Sequence, residues 1–423
     1  MKPGDSVRLH LKDEVIEGIL MPDQDDSYIV KLGSGYNISV KKQEVRKAEV
    51  VKGRASKEAK PRPVKKNPNL PDITILHTGG TIASKVDYET GAVSSQTTPE
   101  QIIESVPELA RIANIRTETV FQMFSEDLEP VHWEMLAEAI AREVKNRPKG
   151  IIVGMGTDTI EYVSSALSFA LQGIDIPVII LGSQRSSDRP SSDAAMNLTC
   201  AAHFIATTDF KGVGVCLHDT TEDKACLVIE GNHVKKMHTS RRDTFRPVNR
   251  RPIARVSPDG KVTYVRKDYN REAGGLDLRA KFSGRVALFK TYPGMRAGEL
   301  DWAAKNAEGL VIEGYAFGQM PINDMDEHTR QHPELLKKVQ AIAKKIPVMM
   351  VSQRPYGLTT MDVYSTGRLL LDAGVIEGKV LSHVGYVKLC WLLANHPDNA
   401  RELISRNICG EIVERIEEDT FLI

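Results

Sequence analysis

Ile73–Leu76, Gly150–Val153, Val178–Leu181 and Val213–Leu217 are short, apolar and rich in branched side chains, and three of them run directly into a polar turn. Runs of this kind fit strands buried on both faces, which requires a sheet covered by helices on either side. The intervening sequence supplies those helices. Trp133, Leu136, Ile140 and Val144 recur every three to four residues, and Ile160, Val163, Leu167 and Leu171 do the same. The pattern predicts a doubly wound α/β domain over residues 72–270. A polar, basic stretch from His233 to Arg271 ends it. A second, smaller α/β region over 285–423 follows, with strands at Val286–Phe289, Leu310–Ile312 and Val348–Val351 and helices at Pro333–Lys345 and Tyr386–Leu393.

Residues 1–50 have a different grammar. Ser6–Leu11, Val15–Leu20, Tyr28–Leu32 and Tyr36–Val40 are short alternating patches separated by turn residues, which predicts a small antiparallel β-barrel module. Residues 51–71 lose all periodicity. Four prolines (Pro61, Pro63, Pro68, Pro71) and a run of lysines and arginines make this segment either a solvated linker or a strap that meets phosphate.

A length of 423 residues suits two or three domains. The 56 basic and 56 acidic residues cancel, so no global field draws the chain to nucleic acid or membrane. No run reaches the ~18 apolar residues of a membrane span, and the polar start, Met1-Lys2-Pro3-Gly4-Asp5, lacks a secretion core. Five cysteines without a Cys-x-x-Cys pair argue against a disulfide frame or structural zinc. These features predict a cytoplasmic protein.

In open α/β sheets ligands sit beyond the carboxyl ends of the strands. There the first strand meets Thr78-Gly79-Gly80-Thr81, the second Gly154-Met155-Gly156-Thr157-Asp158-Thr159, and the third Gly182-Ser183-Gln184-Arg185. Paired glycines let backbone approach a ligand, and the amides beside them can hold an oxyanion. Each turn could equally be a tight strand-to-helix connection with a capping hydroxyl. No Gly-Lys-Ser/Thr follows, so a phosphate loop is disfavoured. A threonine nucleophile needs a base, and a lysine beside a carboxylate would serve. Spacing alone does not choose the lysine.

Thr78-Gly79-Gly80-Thr81-Ile82-Ala83 and Gly156-Thr157-Asp158-Thr159 resemble the two signature elements of the L-asparaginase/glutaminase family, over roughly residues 72–400. The resemblance implies an asparaginase-like two-domain fold, a larger doubly wound part followed by a smaller α/β part. It implies that Thr81 is the nucleophile that forms an acyl-enzyme. Thr157, Asp158 and Lys236 correspond to the second catalytic set. Gly80, Ser125, Glu126 and Asp158 correspond to positions that hold the zwitterionic substrate. The family's flap tyrosine follows the first threonine by ten or more residues, whereas the nearest tyrosine here is Tyr88. The stretch Gly314–Gln319 matches a region from which family members often contact substrate.

A free asparaginase would need nothing before Ile73. The added module and basic linker resemble the GatD family of archaeal glutaminase subunits. That implies a GatE-like partner using ATP and Mg²⁺, with no cofactor in this chain. It also implies glutamine as substrate, tRNA(Gln) bound through the complex, and a homodimer within a heterotetramer. The alternatives are a stand-alone cytoplasmic L-asparaginase and a non-catalytic tRNA-docking protein. The arginines between Lys235 and Arg255 would face either solvent or a partner's or tRNA's phosphates.

Overall fold

A computed structural model of the chain describes every residue except 22–25, 33–36, 53–65, 80–84, 87–92, 95–101, 104–105, 186–191, 273 and 423. The N-terminal module is a five-stranded antiparallel sheet. Ser6–His10 pairs with both Val15–Leu20 and Lys47–Lys52, and Ser27–Leu32 and Asn37–Lys41 extend the far edge. Val7, Leu9, Ile16, Leu20, Val30 and Val40 form its own core. The fifth strand, Lys47–Lys52, carries the sequence KAEVVK, whose charges hid it from a reading of apolar alternation.

The central sheet has eight strands. Its parallel part runs Gly212–His218, Pro177–Leu181, Gly150–Gly154, Asp72–His77, Asn114–Thr119. The residues of Gly150–Gly154 and Pro177–Leu181 are all buried, as their unbroken apolar sequences require. Antiparallel strands Cys226–Glu230, Ala254–Val256 and Val262–Tyr264 complete the sheet. The last two lie within the basic stretch, which closes the domain by adding strands to its sheet. Ala254 and Val256 are buried while Arg255 between them is exposed, so a charged sequence still builds a strand with one face inside.

The second domain is a four-stranded parallel sheet, Val286–Lys290, Gly309–Gly314, Val348–Ser352, Val375–Glu377, with a core of its own. Its helix Ser382–Asn395 packs against Ile160–Ala170 of the first domain. Phe169 and Trp391 meet there at 5.7 Å between ring centres, and Trp391 Nε1 donates to Arg279 O at 2.9 Å. Val311, Met349 and Val351, on the other face of the four-stranded sheet, therefore join the first domain's hydrophobic core.

The order of strands places the functional turns. The chain passes from Asp72–His77 to Asn114–Thr119 on one side, then returns to Gly150–Gly154 on the other. The reversal opens a crevice at the carboxyl ends of those strands, the usual ligand position in such sheets.

Candidate active site

Backbone hydrogen bonds stitch the strand-end turns together. Thr78 N donates to Gly154 O at 3.1 Å, Met155 N to Leu181 O at 3.1 Å, and Met123 N to Thr78 O at 3.2 Å. Two glycines permit this closeness. Gly79 has φ +109°, and a Cβ there would lie 2.3 Å from Met123 O; a Cβ on Gly156 would lie 2.8 Å from Ser125 Oγ. Gly80 and Thr81 lie outside the described residues, as do Ile82, Ala83 and Tyr88.

Thr157, Asp158 and Lys236 come together. Lys236 Nζ donates to Thr157 Oγ1 at 3.0 Å and to Asp158 Oδ1 at 2.6 Å. The lysine side chain is only 12% exposed, while that of Asp158 is 64% exposed. The ammonium is thus held away from water and the carboxylate faces the open side. A lysine in this position can trade a proton with the threonine hydroxyl while the carboxylate stabilises its charged form. Asp158, Lys236 and His238 line a surface cavity of about 370 Å³ together with Glu161, Met237 and Thr239.

Ser125 is buried beside this set. Its Oγ accepts the backbone N–H of Asp158 at 3.2 Å, and its carbonyl accepts Thr159 Oγ1 at 2.9 Å. Glu126 follows in the same short 3₁₀ turn, is exposed, and makes no hydrogen bond or ion pair among the described residues. The Gly314–Gln319 stretch closes on itself, with Tyr315 N donating to Gln319 O at 2.8 Å.

Residues that no sequence motif singles out support these turns. Asp193 is fully buried and accepts Gln184 N at 3.0 Å and Arg185 N at 2.9 Å. Asn197 Nδ2 donates to Gly182 O at 2.9 Å, and its Oδ1 meets His218 Nδ1 at 2.6 Å. A turn held by side chains from a later helix has no fixed spacing in sequence, so nothing in the chain announces them.

The segment that carries Lys236 is anchored along its length. Ser164 Oγ donates to Gly231 O at 2.8 Å, Asn232 Nδ2 to Cys409 Sγ at 3.2 Å, and His233 Nε2 meets Gly410 O at 2.8 Å. The arginines that follow are largely neutralised within the fold. Arg241 pairs with Asp243, Arg242 with Asp223, Arg250 with Glu230 and Asp268, Arg251 with Asp419, and Arg255 with Asp219. Arg246 Nη1 donates to Asp219 O at 2.7 Å. The Arg241 guanidinium holds the Asp243 carboxyl below the usual carboxylate range. The arginines thus have acidic partners of this chain, while the side chains of Arg241, Arg251 and Arg255 stay 53%, 42% and 48% exposed.

Burial pushes His77, at the end of the first strand, and His383, on the domain-joining helix, down to about 4. Both rings are neutral in the fold, whereas an unfolded chain protonates them near 6.5. Stability is therefore unaffected by them above pH 6.5 and is lost as pH falls from there towards 4, where the penalty is complete. His383→Phe is expected to melt less steeply with falling pH than the parent between pH 6.5 and 4.5. Parallel curves in differential scanning calorimetry would refute the role of this ring.

Comparison with known proteins agrees with this architecture. Residues 72–270 match the family model described as Asparaginase, N-terminal, and residues 285–403 the Glutaminase/Asparaginase C-terminal domain. Residues 1–51 match the GatD N-terminal domain. The D subunit of glutamyl-tRNA(Gln) amidotransferase from Pyrococcus horikoshii is 41% identical over 99% of this chain and 97% of its own. The chain belongs to the GatD family. The corresponding amidotransferase D subunit of Methanothermobacter thermautotrophicus is also 41% identical to this GatD-family chain, over 97% of it and 94% of the relative. Among solved structures, the thermostable L-asparaginase from Thermococcus kodakarensis superposes with a TM-score of 0.71 at 31% identity, covering 81% of this chain and all of the other. L-asparaginase I from Vibrio cholerae gives 0.69 at 24% identity over 81% of this chain and 99% of the other, a likeness of fold.

Among the described residues no helix is long and apolar enough to cross a membrane, and no group of three or more His, Cys, Asp or Glu side chains is placed to hold a metal ion.

Proposed function

We propose that this GatD-family chain is the glutaminase subunit of a Glu-tRNA(Gln) amidotransferase, and that hydrolysis takes place at the strand-end crevice. The observation that carries the chemistry is Lys236 Nζ within hydrogen-bond reach of both Thr157 Oγ1 and Asp158 Oδ1. Near-full-length matches to D subunits of glutamyl-tRNA(Gln) amidotransferases support the assignment to amide transfer.

Thr81 Oγ attacks the side-chain amide carbon of glutamine, the C–N bond breaks, and ammonia leaves. Water then cleaves the acyl ester and releases glutamate. Lys236 accepts and returns the proton through Thr157, with Asp158 stabilising the ammonium. Asp158, with Ser125, Glu126 and the Gly80 backbone, holds the substrate's α-amino and α-carboxylate groups. Ammonia passes to a GatE-like partner, which uses ATP and Mg²⁺ to convert Glu-tRNA(Gln) to Gln-tRNA(Gln). The complex works in the cytoplasm as two copies of each subunit, and tRNA(Gln) is bound through the assembly.

The test is ammonia release from glutamine by the full chain, alone and then with the partner and charged tRNA. Turnover is expected to rise at least tenfold in the full mixture. Vigorous asparagine hydrolysis by the isolated chain, with no response to partner or tRNA, would replace this reading with a stand-alone asparaginase.

A further inference from the structure

Glu161 lies in the first turn of the Ile160–Ala170 helix and is buried. Both of its carboxylate oxygens are turned to the strand that carries Lys236. Oε2 accepts the backbone N–H of Lys236 at 2.8 Å, and Oε1 accepts Lys235 Nζ at 3.2 Å. That strand, Val234–Lys236, stands outside the eight-stranded sheet and, among the described residues, pairs only with Phe245–Pro247 in a two-stranded ribbon. A lone pair of short strands is marginal by itself, so its seat depends on anchors from neighbouring elements.

His383 approaches the same carboxylate from the second domain. It is fully buried, neither ring nitrogen has a hydrogen-bond partner among the described residues, and Nδ1 stands 3.8 Å from Glu161 Oε1, beyond bonding reach. A buried imidazole without partners would be satisfied by a small turn of the carboxylate. The carboxylate nevertheless spends both oxygens on Lys235 and the Lys236 main chain.

We infer that Glu161 is a positioning residue for amide hydrolysis, holding the Lys236 backbone so that Nζ meets Thr157 and Asp158 at once. The inference rests on the reading of Lys236 as the base. Lys236 is held at its main-chain N–H by Glu161, at its ammonium by Asp158 and Thr157, and along the ribbon by its pairing with Phe245. Loss of the Glu161 contact removes the side-chain anchor on the main chain of Lys236 itself, and displacements near 1 Å at a reacting group cost on the order of 10²-fold in rate. Glutamine binding, which uses other residues, should be spared.

The experiment measures glutamine hydrolysis by the full chain with its partner and charged tRNA, for Glu161→Ala, Glu161→Gln, Glu161→Asp and Lys236→Ala. The expected result is a kcat lowered at least tenfold in Glu161→Ala with KM within twofold. Glu161→Gln should retain more kcat than Glu161→Asp, because the amide oxygen still reaches Lys236 N–H and the shorter carboxylate does not. A kcat within tenfold of the parent in Glu161→Ala, a loss expressed in KM, or Asp outperforming Gln overturns the inference. Should Glu161→Ala not fold, the order of Gln and Asp decides alone. Lys236→Ala separates the two readings. Activity surviving in it removes the base assignment, whereas an inactive Lys236→Ala beside an active Glu161→Ala removes only the role of Glu161.

Discussion

Lys236→Ala is expected to lower kcat for glutamine hydrolysis on the order of 10³-fold while leaving the melting temperature within a few degrees. The side chain's hydrogen bonds run to Thr157 Oγ1 and Asp158 Oδ1, so its removal empties the proton path without opening a core. Lys236→Arg sharpens the test. A guanidinium keeps the positive charge beside Asp158 but does not give up its proton near neutral pH. Its activity should therefore match that of the alanine variant. Thr157→Val and Asp158→Asn remove the two partners and should fall in the same range, with losses that do not add, because the three act as a unit. Steady-state ammonia release under saturating glutamine measures all four. A Lys236→Ala enzyme with more than a tenth of the parent kcat would end the assignment.

Lys388→Met should cost the fold about 3–5 kcal/mol. Lys388 and Glu411 form an ion pair at 2.7 Å with both side chains at 0% exposure. Lys388 Nζ also donates to Arg406 O at 2.5 Å, and Glu411 accepts the backbone N–H groups of Ile408 and Cys409. Removing the lysine strands a carboxylate in the interior, where water cannot reach it. Removing both charges is milder, provided the backbone donors keep an acceptor. The double variant Lys388→Met/Glu411→Gln should recover more than half of the loss, since the glutamine oxygen still accepts those amides. Calorimetry of the two variants checks this, and a single variant as stable as the double would contradict the account.

The parts of the fold legible in sequence are those where burial on both faces dictates composition. Gly150–Gly154 and Pro177–Leu181 are unbroken apolar strands, and their neighbours hold the shorter, largely apolar stretches Ile73–Leu76 and Val213–Leu217. Asn114–Thr119 reads NIRTET; among the described residues it pairs on one side only, and with partial burial that places no such demand on it. Val375–Glu377 has three residues, too few for any period to show. The strand-end turns were legible as a group because glycines and hydroxyls cluster after apolar runs. The lysine was not legible from spacing, since Lys236 lies 79 residues from Thr157 and sits among other basic residues; family resemblance singled it out. Glu161 gave no signal at all. An acidic residue in a first helical turn is commonplace, and only the tertiary fold reveals that it faces a strand 75 residues later.

The tail that grips Asn232 and His233 lies 177 residues downstream of them. A ribosome delivers the protein from its beginning, so Thr157, Asp158 and Lys236 all emerge long before Cys409 and Gly410 do. A nascent chain halted ahead of that tail carries every member of the proton path yet lacks part of the support beneath Lys236. The proposed base is thereby seated in full only once Cys409 and Gly410 have been made.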